Sequence, residues 1–135
     1  MRNFYRVILA VTAAALLAVS VTMPSAAARS REVRPSPAFD GIWSVSIITQ
    51  FGDCNRGYRY PLRIVDGYVT KADVDPTYAV AGAVARSGAI GVTVSGGGQT
   101  ATGVGRLSRA TGRGIGLWHT SNNECRGNWT AERRG

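Results

Sequence analysis

Apolar residues recur at every second position along short stretches of this chain, and turn-forming residues separate the stretches. Trp43, Val45 and Ile47 alternate with Ser44 and Ser46. Tyr58, Tyr60, Leu62 and Ile64 alternate with Arg59, Pro61 and Arg63, and Ile90, Val92 and Val94 alternate with Gly91, Thr93 and Ser95. A period of two is that of a half-buried β-strand, whose successive side chains point to opposite faces. Weaker patterns of the same kind occupy residues 67–71, 77–85, 99–108, 111–120 and 124–133. Asp66-Gly67, Ser87-Gly88, Gly96-Gly97-Gly98, Ser121-Asn122-Asn123 and residues 73–76 and 109–111 fall between the strands, with a longer loop at 51–57. These are residues that turns demand. Residues 80–89 are rich in alanine, but their glycines and strand pattern argue against a helix.

Short strands joined by tight turns predict an all-β fold, a small closed up-and-down barrel of about eight antiparallel strands. The two cysteines bear on closure. Strand one runs up and ends just before Cys54; strand eight, being even-numbered, runs down from Cys125. Both cysteines then lie at one end of the sheet, on strands that are neighbours only if the barrel closes. A Cys54–Cys125 disulfide across that seam is within reach, whereas a flat sheet would hold the two apart. An open sheet or a two-layer sandwich is the structural alternative. The bond would close a long loop, which the chain-entropy account values at about 4 kcal/mol.

Residues 1–28 read differently from the rest. Arg2 and Arg6 give a basic start, residues 7–21 are almost wholly apolar, and Pro24, Ser25 and three alanines follow. That order is a secretory signal peptide, with cleavage expected after Ala28 or Ala27. An uncleaved anchor is the competing reading, at the short limit of a bilayer span. Export predicts a periplasmic or secreted protein that meets a membrane only in transit, in an oxidising compartment where a cysteine pair forms a disulfide. Residues 29–38 hold two prolines and four charges and read as a disordered leader. Residues 39–135 form the β-barrel domain.

The chain has 16 basic and 8 acidic residues. Without Arg2 and Arg6 the balance is 14 against 8, or +6, and from Ala38 onward it is 11 against 7, or +4. The arginines are spread singly, not gathered into the dense patch of a nucleic-acid binder, so no nucleic-acid partner is expected.

Two glycine-rich strands stand out. Gly112, Gly114, Gly116 and Trp118 share one face, as do Ala101, Gly103, Gly105 and Leu107 on the strand before. Such a bare wall makes room for indole rings, or forms a groove where a ligand approaches the backbone; packing is the simpler reading. Trp43, Tyr58, Tyr60, Trp118 and Trp129 are the candidate interior, ligand-facing residues. His119 is the single histidine, and it faces opposite Trp118 beside a turn, where a solvated role is simplest; a haem ligand or a general base there is the sharper alternative. Two cysteines and one histidine are too few for a zinc site, so no metal and no cofactor are expected. No Gly-x-Ser-x-Gly elbow is present, and most carboxylates fall in turns, where Asp bonds the backbone. Asp73 and Asp75 lack the companion ligands of a calcium site. No enzyme is predicted. Asn128-Trp129-Thr130 matches a glycosylation sequon but lies within a strand pattern, not a loop.

The runs Phe39-Asp40-Gly41-Ile42-Trp43-Ser44-Val45, Gly52-Asp53-Cys54 with Tyr58-Arg59, and residues 125–134 from Cys125-Arg126-Gly127-Asn128-Trp129 to Arg134 resemble a family of small exported bacterial β-barrel proteins. The resemblance covers about residues 39–134. Some members are tied loosely to haem utilisation or adhesion, and here a haem role would rest on His119. The family supplies no catalytic residues to carry over. Gly41-Ile42-Trp43 also resembles the Gly-x-Trp opening of lipocalin- and avidin-like barrels, a likeness of fold that does not license function.

The reading that follows is a non-catalytic exported barrel binding a small apolar or aromatic ligand or a cell-envelope component. The second reading is a protein-binding module, such as a periplasmic protease inhibitor or envelope adaptor. It would act through loops such as 51–57, which the disulfide pins.

Overall fold

The computed structural model describes residues 34–135, together with Ser20. The expected signal peptide, its cleavage site and the first half of the leader lie outside the described residues. Eight antiparallel strands close into a barrel in chain order. They are β1 Gly41–Phe51, β2 Gly57–Val65, β3 Tyr68–Lys71, β4 Tyr78–Val84, β5 Ala89–Gly96, β6 Gln99–Ser108, β7 Arg113–Thr120 and β8 Arg126–Arg133. Every strand pairs with its chain neighbour. The seam between β1 and β8 sets Val45 opposite Ala131 and Ile47 opposite Trp129. The fold is therefore the closed up-and-down barrel, and not the sandwich.

Alternation decides which side chains meet. Trp43, Leu62, Ile64, Val69, Val84, Ile90, Leu107, Trp118 and Trp129 are buried. Arg59, Arg63, Thr93, Arg106, Thr130 and Glu132 stand on the exposed outer face. The outer face is mixed, since Ile48, Val104, Ile115 and Leu117 are exposed on it as well. Two hairpins use turns that need positive φ at both central residues: Asp66 and Gly67 have φ of 52° and 80°, and Gly97 and Gly98 have 59° and 77°. Their twist matches that of the flanking strands.

An even number of strands returns the chain to the end at which it started, so the barrel has a base and a mouth. The base carries the turns at 66–67, 85–88 and 109–112 and both ends of the described chain. It is plugged. A short 3-10 helix at Pro37–Phe39 drops Phe39 inside, where Phe39 and Trp43 are each 2 % exposed. The Trp43 indole N–H donates to the Phe39 carbonyl at 2.9 Å. The Asp40 carboxylate accepts from the backbone N–H groups of Asp66 and Gly67 at 2.8 and 3.0 Å. The Arg133 guanidinium donates to the Asp40 carbonyl and sits 5.7 Å from the Trp43 ring centroid.

Residues 35–38 correct the expected leader, because they are folded. Pro35 bridges Ala85, and the Ser36 N–H donates to the Val84 carbonyl at 2.9 Å. Pro35 suits an extended lead-in that needs no donor, and Pro37 suits the first position of a helical turn. Burial of Phe39 anchors both. Gly112 is the second correction. It lies in the turn before β7 with φ of 65°, so the glycine face of that strand starts at Gly114.

Candidate functional site

A cavity of about 220 Å³ occupies the lumen. All five aromatic residues expected inside line it: Trp43, Trp118 and Trp129, with Tyr58 and Tyr60. Trp43 is the deepest of them, next to the base plug. Tyr58, 36 % exposed, and Gln99, also exposed, mark the opening at the mouth. Between floor and rim the walls are aliphatic, with Ile47, Val80, Val92 and Ala101 among the lining residues.

The glycine strands form the seat of one indole. Gly105 pairs with Gly116 and Leu107 with Gly114 across β6 and β7, and Gly116 faces Trp129 on β8. A methyl group on Gly105 or Gly116 would overlap the Trp129 ring and also a backbone carbonyl, and one on Gly114 would lie 3.4 Å from the ring. The packing reading of the bare wall is correct. It has a second effect: the ring spreads over backbone instead of side chains, which leaves the lumen open.

Two of the three indole N–H groups are satisfied. Trp43 donates to Phe39 as described, and Trp118 donates to the Ile48 carbonyl at 3.1 Å. Trp129 is 8 % exposed, and among the described residues its Nε1 has no hydrogen-bond partner. That nitrogen lies 3.4 Å from where a methyl group on Gly103 would stand.

The rim is a cluster of tyrosines on one side of the mouth. Strand β3 stops at Lys71 while β2 and β4 continue above it, and side chains fill the gap. Tyr58 and Tyr60 stack at 5.7 Å between centroids, and Tyr60 meets Tyr78 at 5.2 Å. The Tyr78 hydroxyl donates to the Asp73 carboxylate at 2.6 Å. The Lys71 ammonium donates to the carbonyls of Tyr78, at 2.7 Å, and Asp75, and lies 4.9 Å from the Tyr78 ring centroid. Burial holds the Tyr78 hydroxyl well above its ordinary range, with the Asp73 bond adding to it. Burial also raises Tyr60, helped by the nearby Tyr58, Asp75 and Asp73 charges. Asp75 is lowered because its carboxylate accepts from the Thr77 hydroxyl and backbone N–H, at 2.6 and 2.9 Å.

Tyr78 was not among the aromatic residues expected at the site. Its signal was the alternation of Tyr78, Val80, Gly82 and Val84, diluted by alanine and glycine. The disulfide is formed as expected. It joins the 52–56 loop to the residue before β8 with Cα atoms 6.1 Å apart, and Cys54 lines the cavity. His119 stands exposed on the outer face of β7, opposite Thr102, so a haem ligand or base there would lie outside the lumen. Asn128 of the sequon is half-buried within β8, between Leu117 and Ile48 on its neighbouring strands. Among the described residues, no three His, Cys, Asp or Glu side chains gather at metal-binding distance. Comparison with protein-family models, and searches of curated proteins and of solved structures, found no match to this chain.

Proposed function

We propose that this protein is an exported, non-catalytic barrel that binds a small apolar or aromatic molecule, or the apolar part of a cell-envelope component, in its lumen. The observation that carries the reading is the apolar cavity of about 220 Å³, plugged at the base and rimmed by aromatic rings at the mouth. An apolar cavity of about 150 Å³ accommodates benzene, so this lumen takes a molecule of one or two rings. Several side chains capable of chemistry are engaged away from the lumen. Asp40 caps a turn, Asp73 and Asp75 hold the rim loop, and His119 faces outward. Export is supported by the order of residues 1–28 and by the disulfide.

Native mass spectrometry on protein produced from the full chain and purified without refolding tests the reading. A mass excess that vanishes on denaturation, or saturable one-to-one binding of a naphthalene probe that Ala101→Phe abolishes by filling the lumen, is the expected result. A bare protein that binds no aromatic probe would sink it. A second reading, capture of a protein partner by the mouth loops, is favoured by Phe51. That residue is 56 % exposed at the end of β1 beside the disulfide-pinned loop, with the Arg126 guanidinium over its ring at 4.7 Å. Partner capture that is lost on Phe51→Ser while probe binding persists would support that alternative.

A further inference from the structure

The lumen is largely apolar, with its polar side chains gathered at the rim. Thr120 is buried, but its hydroxyl donates to the Cys125 carbonyl at 3.2 Å and accepts from the Cys125 N–H at 3.0 Å. Tyr78 is committed to Asp73 at the rim. Trp129 lines the lumen below the rim tyrosines, and among the described residues its indole N–H has no hydrogen-bond partner. An indole nitrogen can only donate, so it can be satisfied only by an acceptor. A ligand that covered this donor without accepting from it would leave it unsatisfied, at a cost in binding free energy. The glycine seat keeps the ring from turning to seek a partner. In register around Gly103 stand Val92 and Trp118, with Ala101 two residues along the same strand. Their side chains offer nothing further to hold a water, which needs two to four polar partners; the Trp118 N–H is already spent on Ile48.

We propose that the ligand carries a hydrogen-bond acceptor, a carbonyl oxygen or a pyridine-type ring nitrogen, that receives the Trp129 indole N–H. The ligand class is then an aromatic or alicyclic ketone, quinone or nitrogen heterocycle, and not a plain hydrocarbon. This inference rests on the lumen being a binding site. Its geometry is an apolar body against the aliphatic wall, one acceptor beside Gly103, and any further polar group at the rim near Gln99 and Tyr60.

A matched probe pair separates the two claims. Indane and 1-indanone share a skeleton and differ in one carbonyl. With the oxidised protein produced from the full chain, 1-indanone binds more tightly than indane, on the order of tenfold, as one hydrogen bond allows. Trp129→Phe abolishes that preference. Proton–nitrogen spectra supply an independent readout that needs no variant. 1-Indanone moves the indole N–H resonance assigned to Trp129 through its contacts to Gly103, and leaves those of Trp43 and Trp118 in place. Equal affinity for the two probes, a preference that survives Trp129→Phe, or an indole shift that indane reproduces would overturn the acceptor while leaving the cavity reading intact. Failure of both probes to bind overturns the acceptor and the cavity reading together.

Discussion

Gly116 has no room for even a methyl group, and that single restriction sets how much of the lumen stays open. A Cβ there would overlap both the Val104 carbonyl and the Trp129 ring. Backbone cannot step aside, so Gly116→Ala should destabilise the fold by about 1–3 kcal/mol, read as a lower urea midpoint at unchanged slope. Gly91 is the control. It sits on the outer face of β5, a Cβ there meets nothing within 4 Å, and Gly91→Ala should stay within about 0.5 kcal/mol of the parent. Alternation of the glycines was enough to assign them to one face as a seat for an indole. It could not say which of three indoles sits there, because that depends on β8 pairing Trp129 with Gly116 across the β7–β8 register. The unpaired N–H was illegible for the same reason: a hydrogen-bond partner is a property of neighbours, not of a residue type.

Strand β3 is the element on which the rim depends. Its four residues end at Lys71, whose ammonium ties the 72–77 loop through the carbonyls of Asp75 and Tyr78. Tyr60 and Tyr78 are both held above the ordinary tyrosine value of 10.0 in the folded protein. The unfolded chain therefore releases those protons first. Stability from these two groups is complete below pH 10.0 and falls as the pH rises past it. Asp75 has the opposite sign: its carboxyl is below 3.8 when folded, so its contribution holds above that value and fades in acid. Urea midpoints measured at neutral pH and above pH 10.0 should show an alkaline loss that Tyr60→Phe and Tyr78→Phe each diminish. An unchanged loss in both variants would dissociate it from the rim. Strand existence was legible from period-two patterning even where it was weak, as in 77–85. Residues 35–38 were misread because prolines look the same in a disordered leader and in an extended segment held by one buried phenylalanine.

The closed barrel was legible at the scale of the molecule because two cysteines far apart in sequence agreed with strand parity. Counting strands put Cys54 and Cys125 at one end, and only closure makes their strands neighbours. Removing the bond with Cys54→Ser and Cys125→Ser together should cost about 4 kcal/mol of stability, measured by urea denaturation at fixed temperature. The hollow interior was not legible. Side-chain volumes can be counted from sequence, but the space they leave depends on where Trp129 rests.

The same parity that joined the cysteines has a consequence for how the barrel can be mounted. Chain attached at residue 34 departs from the plugged floor, beside the turn that follows β4 and opposite the entrance. A leash fixed there leaves the opening clear, so a molecule arriving from solution finds it facing away from whatever surface holds the leash. A sensor chip or a fluorescent reporter joined on that side would inherit the same orientation without any redesign of the walls.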